Sequence, residues 1–234
     1  MEKRHAMTYN DFKKIVNVSK EEMAARILEQ NRDSIKVKKE QKVIENMVRI
    51  IDATLDLCSK KSFQAMSIRD LSRDSGLSRG ALYSYFTNKE DLLNLIQTHG
   101  RGIAYQVLTQ QISAAEGPVD KLRTAIKSHI YLSEAMQTWF YFTYIEARNL
   151  SRPEQKKAIE SELQTEKIFV DIILEGQEKK LFNDVGALLA ASVIKAMLQD
   201  WYLKRWKYKE RSVSADDYAD FVIRVTEALL LRKK

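Results

Sequence analysis

Cysteine, histidine, proline and glycine are all scarce in this sequence. Its single cysteine, Cys58, excludes an intrachain disulfide and fits a reducing compartment. The histidines, His5, His99 and His129, lack metal-ligand spacing, and there is no Gly-rich phosphate loop or nucleophile elbow. We therefore expect neither catalysis nor a metal or cofactor. Cys58 itself fits a small core residue better than a redox sensor.

Long hydrophobic runs are also absent. Charged residues interrupt every apolar stretch well before the about 18 residues that a membrane span requires. The N-terminus is polar and lacks the apolar segment of a secretory signal. These features predict a cytoplasmic protein with no membrane partner.

What the sequence does contain is typical of an all-α protein. Among its 234 residues, leucine, alanine, glutamate and lysine dominate, and strand-like alternation is missing. The formal charge is +7, and most of the excess lies early, since residues 1–90 hold 18 basic and 13 acidic side chains. That distribution suits phosphate binding by the first third of the chain, although a solvated basic surface is the simpler alternative.

The stretch from residue 67 to 89 has the layout of two short helices joined by a tight turn. Ser67 is a good N-cap, and Asp70 three residues later completes an acidic capping box. Gly76 suits the turn, and Ser78 caps the following helix. This pattern predicts a helix-turn-helix, which places its second helix in the major groove of DNA; the alternative is an ordinary corner in a helical bundle.

The second helix has the side chains that such a role requires. Arg79 lies in its first turn, where side chains reach base edges, and the small residues Gly80 and Ala81 allow close approach. Tyrosine hydroxyls and a lysine after the helix have the reach and chemistry for phosphates. The candidate DNA-binding residues are Ser67, Ser78, Arg79, Gly80, Ala81, Tyr83, Ser84, Tyr85 and Lys89.

The stretch from Val43 to Ile96 resembles the DNA-binding domain of the tetracycline-repressor (TetR/AcrR) family of transcription regulators. The resemblance rests on the helix Ile44 to Ser59, Phe63, Ser67-Ile68-Arg69-Asp70-Leu71, Ser75-Gly76-Leu77-Ser78, Gly80-Ala81-Leu82-Tyr83-Ser84-Tyr85-Phe86 and Asn88-Lys89-Glu90-Asp91-Leu92. Ser72 and Ser75 replace the usual alanine, and Ser84 replaces a larger residue. The resemblance implies an N-terminal three-helix helix-turn-helix domain and a C-terminal helical domain for effector binding and dimerisation, with about nine helices after a leader.

We accordingly divide the chain into an N-terminal extension (1–40), a helix-turn-helix domain (41–96) and an effector-binding and dimerisation domain (97–234). In the extension, Ser19 with Glu22 predicts a capped helix to about Gln30, followed by a basic tract from Lys36 to Lys42. The resemblance makes this region an arm that adds DNA contacts; the equal alternative is a disordered or loosely packed leader.

Cap and breaker residues divide the rest of the chain into helices. Gly176 is expected to end one long helix, and Asp184 to cap the next. Gly100 and Gly102 mark either a soft point or close packing in the helix that follows the helix-turn-helix. The expected helices are 39–60, 68–75, 79–85, a fourth from Asn88 through Val107, 119–135, 137–149, 152–175, 184–209 and a last one opened by Ser214.

Aromatic residues crowd positions 139 to 144, which predicts a buried helix. They either line a cavity or simply pack in a core. The resemblance implies an effector pocket in the second domain, and nearby polar groups would orient the effector. The candidate pocket residues are His129, Trp139, Phe140, Phe142, Tyr144 and Arg148.

The last two helices are strongly apolar. The resemblance implies that they pair with the same helices of a twofold mate, whereas physical reasoning alone also permits an intramolecular core. The candidate dimer residues are Leu198, Trp201, Tyr202, Phe221, Val225 and Leu229. The aromatic and basic run from Trp201 to Lys209 fits either an acidic ligand tail or lysines that surround interface tryptophans.

These features together predict a ligand-responsive, sequence-specific transcription regulator. The expected partners are double-stranded operator DNA, a small-molecule effector and a second copy of the chain. The favoured mechanism is a repressor that a hydrophobic or aromatic effector releases from a palindromic operator, with an acyl-CoA thioester as one candidate. The alternatives are an activator, or an adaptor with the same fold that does not bind DNA.

Overall fold

The computed structural model describes residues 7–33, 35 and 39–232, and this part of the chain is helical as predicted. A 3₁₀ turn, Ala147–Asn149, follows the eighth helix. The helices are α1 (Tyr9–Ile15), α2 (Lys20–Gln30), α3 (Glu40–Lys60), α4 (Ile68–Ser75), α5 (Arg79–Leu82), α6 (Lys89–Ser113), α7 (Gly117–Ala135), α8 (Gln137–Glu146), α9 (Arg152–Glu178), α10 (Ala187–Leu203), α11 (Arg205–Glu210) and α12 (Ala215–Leu230). Within the described residues, no helix is both long and apolar enough to cross a membrane.

The chain forms two compact units. The helix-turn-helix unit consists of Val18–Ile103 and Thr138–Ala158. The C-terminal unit consists of Met1–Asn17, as far as it is described, with Ala104–Gln137 and Ile159–Lys234. Each unit has an apolar core of its own.

The core of the helix-turn-helix unit is built around α3. Apolar side chains recur along one face of this helix, and Met47, Ile50 and Ile51 are completely buried there. Helices α2 and α4 pack against α3. This arrangement fixes α4 and the turn that leads to α5.

The described part of the N-terminal extension is packed helix, so the expectation of a loose leader is wrong for these residues. Phe12 of α1 and Ile27 of α2 are fully buried. Ser19 caps α2 by accepting a hydrogen bond from the backbone amide of Glu22. The DNA-contacting arm was expected in the tract that includes 36–38, which lies outside the described residues, as does His5.

The core of the C-terminal unit lies among α7, α9, α10 and α12. Helix α7 packs against α10 and α12, and α10 packs against α12. Ser214 and Asp217 form the predicted capping box at the start of α12. The buried side chains include Ile126, Ile130, Tyr131, Phe169, Ile173, Ile194, Leu198, Trp201 and Val222.

The single helix expected over 184–209 is divided in two. It begins at Ala187, after Gly186 rather than a cap by Asp184, and it breaks at Lys204, where φ is −121°. The Asp200 carboxylate accepts hydrogen bonds from Lys204 and Lys207, each at 2.6 Å, and from the Tyr208 hydroxyl. These bonds tie the start of α11 back to α10, which accounts for the tight break.

Gly176 also differs from expectation, because it lies inside α9 rather than at its end. A Cβ atom at this position would lie 2.1 Å from Cδ2 of Phe182, so the glycine allows the chain to fold back against the helix. Gly100 has the same role in α6, where a Cβ would lie 2.1 Å from Cε2 of Trp139. Gly102 has no neighbour of this kind. Close packing, rather than a soft point, therefore explains Gly100.

Candidate nucleic-acid interface

The first helix of the motif, α4, is held at both ends by local contacts. The Ser67 hydroxyl accepts from the Asp70 amide at 3.1 Å, and Asp70 accepts from the Ser67 amide at 3.1 Å. Lys61 donates to Asp70 at 2.6 Å, and this bond, with those from Ser67, holds the pKa of the Asp70 carboxyl below its usual range. Gly76 ends the helix with φ of 65°, a conformation that glycine adopts without strain.

The second helix, α5, presents its first turn to solvent. Ser78 caps it by accepting from the Ala81 amide at 3.2 Å. Arg79 is exposed, and within the described part of the chain its guanidinium forms no hydrogen bond or ion pair. No atom lies within 4 Å of a Cβ placed at Gly80, so the backbone there is open to close approach.

The remaining candidates divide by exposure. Tyr83 is 47% exposed, and Ser67 and Ser78 are also exposed, whereas Ala81 and Ser84 are half-buried. Helix α5 ends at Leu82, and residues 83–85 form turns instead of the helix expected to residue 85. A compact surface of Arg79, Gly80 and Tyr83 therefore remains available to a ligand.

Tyr85 is not part of that surface, which corrects the expectation of a phosphate contact. Its side chain is 3% exposed, and its hydroxyl accepts a hydrogen bond from Asn46 Nδ2 at 2.7 Å. The residue thus joins the end of the motif to α3. The periodicity of a helix to residue 85 placed this side chain outside, but the turn directs it inward.

Lys89 is likewise engaged within the protein. Its Nζ donates to the carbonyl oxygens of Gln64 at 3.0 Å and Met66 at 2.6 Å, and it lies 5.3 Å from the centre of the Phe63 ring. The ammonium group thus fixes the loop that precedes α4. Two of its three donors are occupied, so positioning of α4 is the role that the geometry favours.

Arg69 is an exposed cation of the motif that the sequence pattern alone did not single out as a DNA-binding candidate. Arg69 lies in the first turn of α4, and no hydrogen bond or ion pair involves its side chain within the described residues. Its position two residues after the capping Ser67 is the signal that identifies it. Helix N-termini and arginines both favour phosphate contacts.

The motif consists of two capped helices joined at a glycine in the left-handed conformation. An arginine without a hydrogen bond or ion pair among the described residues lies in the first turn of the second helix. This arrangement defines the class of helix-turn-helix DNA-binding proteins. The profile of the family described as "Bacterial regulatory proteins, tetR family" matches residues 50–96. The profile described as "Tetracyclin repressor-like, C-terminal domain" matches residues 115–228. The chain belongs to the TetR family of transcription regulators.

Relatives and solved structures agree with this assignment. The chain is 23% identical over 191 residues to the HTH-type transcriptional regulator HbdR of Aromatoleum sp. (strain CIB), covering 82% of this chain and 83% of HbdR. The structure of the TetR family regulator PfmR from Thermus thermophilus matches with a TM-score of 0.69 and 25% identity, over 79% of this chain and all of PfmR. AibR in complex with isovaleryl coenzyme A and operator DNA matches with a TM-score of 0.67 and 16% identity, over 79% of this chain and 97% of AibR.

The aromatic candidates for an effector pocket lie in the helix-turn-helix unit, on α8. Trp139 is 5% exposed, and its Nε1 donates to the Ile96 carbonyl oxygen at 3.0 Å. Phe140 packs edge-on against Trp139, with ring centres 5.1 Å apart. Trp139 therefore packs in the core against α6, in the space that Gly100 leaves.

Phe142 is also a core residue. It meets Phe63 edge-on at 6.3 Å between ring centres, while the buried Glu146 accepts from the Phe63 amide at 3.1 Å. A cavity beside Phe142 measures about 20 Å³, room for about one water molecule. It is lined by Leu55, Cys58, Ser59, Thr138, Tyr141, Phe142, Ile145 and Glu146.

Cys58, at the wall of this cavity, has a poorly reactive thiol. Burial, and then the charge of Glu146, raise the pKa of Cys58 to about 12. The group is therefore protonated near neutral pH, and thiols react as thiolates. Its environment favours the core-residue interpretation over the redox sensor.

The other pocket candidates are dispersed. Tyr144 is 50% exposed and Arg148 is exposed, so α8 is not buried all round as expected. His129 belongs to the C-terminal unit, where it is 6% exposed; burial, and then the charge of Lys195, hold its pKa well below the usual value. The six candidates therefore do not form one constellation within either unit.

The dimer candidates separate into two groups. Leu198, Trp201 and Tyr202 lie in the core of the C-terminal unit, at 0%, 0% and 6% exposure, so the expectation that they form an outer face is wrong. Trp201 stacks on Tyr218 at 4.9 Å between ring centres and donates to Glu134 at 3.1 Å. The other candidates, Phe221, Val225 and Leu229, are exposed on α12 at 54%, 41% and 47%.

Proposed function

We propose that this chain is a homodimeric repressor that a small hydrophobic effector releases from a palindromic operator. DNA binding by the regulator class follows from the family; the repression, the symmetry of the site and the effector are the proposal. The observation that carries the sequence-specific operator contact is the exposed Arg79, whose side chain has no partner among the described residues, in a motif whose serines at both helix starts are engaged in capping.

An apolar stripe on the last helices supports the dimer. Exposed side chains recur on α10 and at a spacing of about one helical turn on α12, and large exposed patches mark interaction sites. The stripe consists of Leu188, Leu189, Val193, Phe221, Val225 and Leu229. A twofold mate would cover the stripe and present two α5 helices to the two halves of a palindrome.

Sedimentation velocity tests this interface. Replacing Phe221 and Val225 together by glutamate would place two charges in a contact that excludes water, so we expect the dimer to dissociate. The control is Ile159→Glu, which alters an apolar residue on α9 that is also exposed, at 60%. A dimer that survives the double change, or one that dissociates with the control, would contradict this face.

An acyl-CoA thioester is the effector class that we propose. AibR is described in complex with isovaleryl coenzyme A and operator DNA. The C-terminal unit here contains a buried lysine, Lys195, and a buried histidine, His129, and a few polar groups of this kind orient ligands in protein sites. Lys195 is 4% exposed, lies 3.3 Å from the Glu162 carboxylate and donates to Thr165 at 2.9 Å. Its charge acts on the buried His129.

Selection of genomic fragments by the purified protein at physiological salt, followed by footprinting, tests the operator. We expect enrichment of a site with two inverted half-sites about one helical turn apart. Enrichment of single half-sites would contradict the proposal that a twofold dimer binds a palindromic site. Binding no stronger than binding to random duplex would contradict recognition of a specific operator sequence.

The effector is tested on the selected operator with thioesters of graded acyl length. A coupling of about 1–3 kcal/mol corresponds to a loss of operator affinity of about 5- to 150-fold for the preferred acyl group. Free coenzyme A and the free acids are the controls. Equal affinity with every thioester and with the controls would exclude this effector class.

A further inference from the structure

Arg49 is an exposed cation of the helix-turn-helix unit that lies outside the two helices of the motif. It belongs to α3 and stands one residue before the family match begins at residue 50. Among the described residues, no hydrogen bond, ion pair or ring contact involves its side chain. The sequence pattern did not single it out, because the recognisable motif begins only at Ser67.

Two acidic residues occupy the positions from which a helical ion pair with Arg49 would form. Glu45 precedes it by four residues and Asp52 follows it by three, and both spacings place side chains on one face of a helix. Lys42 Nζ lies 3.7 Å from Glu45 Oε2. Lys20 forms an ion pair with Asp52. Both carboxylates are thus engaged by other cations, and the guanidinium of Arg49 is left for another anion.

The guanidinium of Arg49 lies against the turn between α4 and α5. A Cβ atom built on Gly76 would lie 2.5 Å from Nη2 and 3.7 Å from Cζ of Arg49. Because a carbon–carbon bond is about 1.5 Å long, Nη2 lies no more than about 4 Å from the Cα atom of Gly76. Gly76 therefore has a second use besides its left-handed φ, since its missing side chain leaves room for the guanidinium.

This position brings the charge of Arg49 near the start of α5. Gly76 is followed two residues later by the capping Ser78 and three residues later by Arg79. Consecutive Cα atoms are 3.8 Å apart, so the Cα atom of Arg79 lies within about 11 Å of that of Gly76. Two arginines from different helices, each without a partner in the described part of the chain, therefore lie on neighbouring parts of one unit.

A phosphate of the DNA backbone is the anion that suits an arginine in this place. In the helix-turn-helix class, the second helix enters the major groove, and phosphates line the edges of that groove. The planar guanidinium matches phosphate oxygens, and contacts to phosphates position a protein on the duplex without reading its sequence. Asp74, the acid nearest the turn in the sequence, is already paired with Arg73 at 2.6 Å.

We propose that Arg49 is a DNA-backbone contact that binds a phosphate at the edge of the groove that α5 enters. Arg79 then meets base edges, while Arg49 fixes the position of the unit on the duplex. The contact adds α3 to a surface otherwise formed by α4 and α5. The inference rests on DNA binding by the proposed regulator, but not on repression, on a palindromic site or on the effector.

The salt dependence of binding tests this contact on the full chain. In Arg49→Gln one phosphate contact is lost, so affinity for a mixed-sequence duplex and for the selected operator is expected to fall by a similar factor. The slope of the logarithm of affinity against the logarithm of salt concentration is expected to decrease by about 0.9 for each bound protomer. Arg49→Lys keeps the charge and is expected to restore the slope of the parent protein.

Arg73→Gln is the matched control. It removes the same charge from an exposed residue of the same unit, but Arg73 is paired with Asp74 at 2.6 Å and lies 3.5 Å from Asp70. We therefore expect the salt slope of this variant to equal that of the parent. Urea unfolding of both variants distinguishes a lost DNA contact from a weakened turn, and we expect Arg49→Gln to unfold at a urea midpoint close to that of Arg73→Gln.

Ethylation interference on the selected operator identifies the phosphate directly. Ethylation removes the charge of a single phosphate, so it weakens binding wherever the protein contacts that group. We expect at least one phosphate at which ethylation weakens binding of the parent protein but no longer weakens binding of Arg49→Gln. Ethylation effects that are the same in both proteins would contradict a direct contact.

A salt slope that stays at the parent value in Arg49→Gln would overturn the proposal, whether or not the affinity falls. An equal decrease of the slope in Arg73→Gln would also overturn it, because any lost charge would then have the same effect. Failure of the proposed function has a different signature. The slope would then change as expected on the mixed-sequence duplex, but no operator would be enriched or no effector would release it. A parent protein that binds neither duplex would overturn both.

Discussion

Arg79 and Lys89 are both cations of the helix-turn-helix unit, but their surroundings give them different roles. The guanidinium of Arg79 is exposed and uncommitted within the described chain, so it is available to base edges. The ammonium of Lys89 is shared between two backbone carbonyls ahead of α4. The same charge is thus left exposed in one residue and is held by the protein's own carbonyls in the other.

Arg79→Ala is expected to reduce sequence preference more than overall DNA affinity. Loss of a base contact costs about 1–3 kcal/mol of discrimination. The ratio of dissociation constants for the selected operator and a scrambled duplex measures this change. The control is Arg73→Ala, because Arg73 is also exposed but is paired with Asp74 at 2.6 Å. An equal loss of sequence preference in both variants would show that Arg79 contributes only its charge.

Lys89→Met is expected to weaken operator binding while leaving its salt dependence unchanged. Two carbonyls lose a charged donor, so α4 is held less firmly and the protein loses about 1 kcal/mol of stability. The salt dependence of the binding constant checks this. A slope that falls by about one would instead establish the phosphate contact predicted from the sequence.

At the scale of elements, α6 and α8 depend on one close contact. Gly100 allows the Trp139 indole to reach α6 and donate to the Ile96 carbonyl oxygen. The contact fixes α8 in the helix-turn-helix unit, although α8 was expected in the effector domain. Trp139 consequently supports α6 from within the unit.

Gly100→Ala is expected to destabilise the protein by about 1–3 kcal/mol, because the added methyl overlaps a packed, hydrogen-bonded indole. Gly102→Ala, two residues away with open space around it, is the matched control and is expected to stabilise α6 by up to about 1 kcal/mol. Urea unfolding followed by circular dichroism measures both. Equal effects of the two substitutions would contradict the packing role of Gly100.

The helices themselves were largely predictable, because their ends depend on neighbouring residues. Ser67, Ser78 and Ser214 cap where expected, since a capping hydroxyl needs only an amide three residues on. Burial was harder to predict. Tyr85 and Trp201 are apolar and aromatic in either interpretation, and only their partners, Asn46 and Tyr218, show that both face inward.

The candidate sites also differ in how far they depend on local sequence or on contacts between distant residues. The helix-turn-helix geometry and the exposure of Arg79 were predictable from a local motif. The grouping of the pocket candidates was not predictable, because residues close in the sequence, such as His129 and Trp139, belong to different compact units. The break at Lys204 accompanies three hydrogen bonds to the Asp200 carboxylate, from Lys204, Lys207 and the Tyr208 hydroxyl, and the sequence does not indicate which of the neighbouring polar groups would pair with it.

At the scale of the whole molecule, each unit contains one buried histidine among the residues that the structure describes. Burial, and then the charge of Arg26, lower the pKa of His99 in the helix-turn-helix unit. Burial also lowers the pKa of His129 in the C-terminal unit. Both imidazoles are therefore neutral in the folded protein where an unfolded chain would begin to protonate.

Thermal stability is accordingly expected to fall as the pH is lowered from about 7.5 to about 5.5. A histidine whose folded pKa is depressed takes up its proton more readily in the unfolded state, so stability is retained above about 6.5 and lost below it. Unfolding midpoints across this range measure the effect. His99→Gln and His129→Gln should each flatten part of the profile, and a flat profile in the parent protein would contradict the buried neutral histidines.

The placement of the three tryptophans makes the protein its own optical probe. Trp139 is buried in the helix-turn-helix unit, Trp201 is buried among tyrosines of the C-terminal unit, and Trp206 is 64% exposed. An indole shielded from water emits at shorter wavelength than a hydrated one. Replacing Trp206 by phenylalanine would remove the hydrated emitter, and single-tryptophan versions would then show by their fluorescence whether the two units melt together or one after the other.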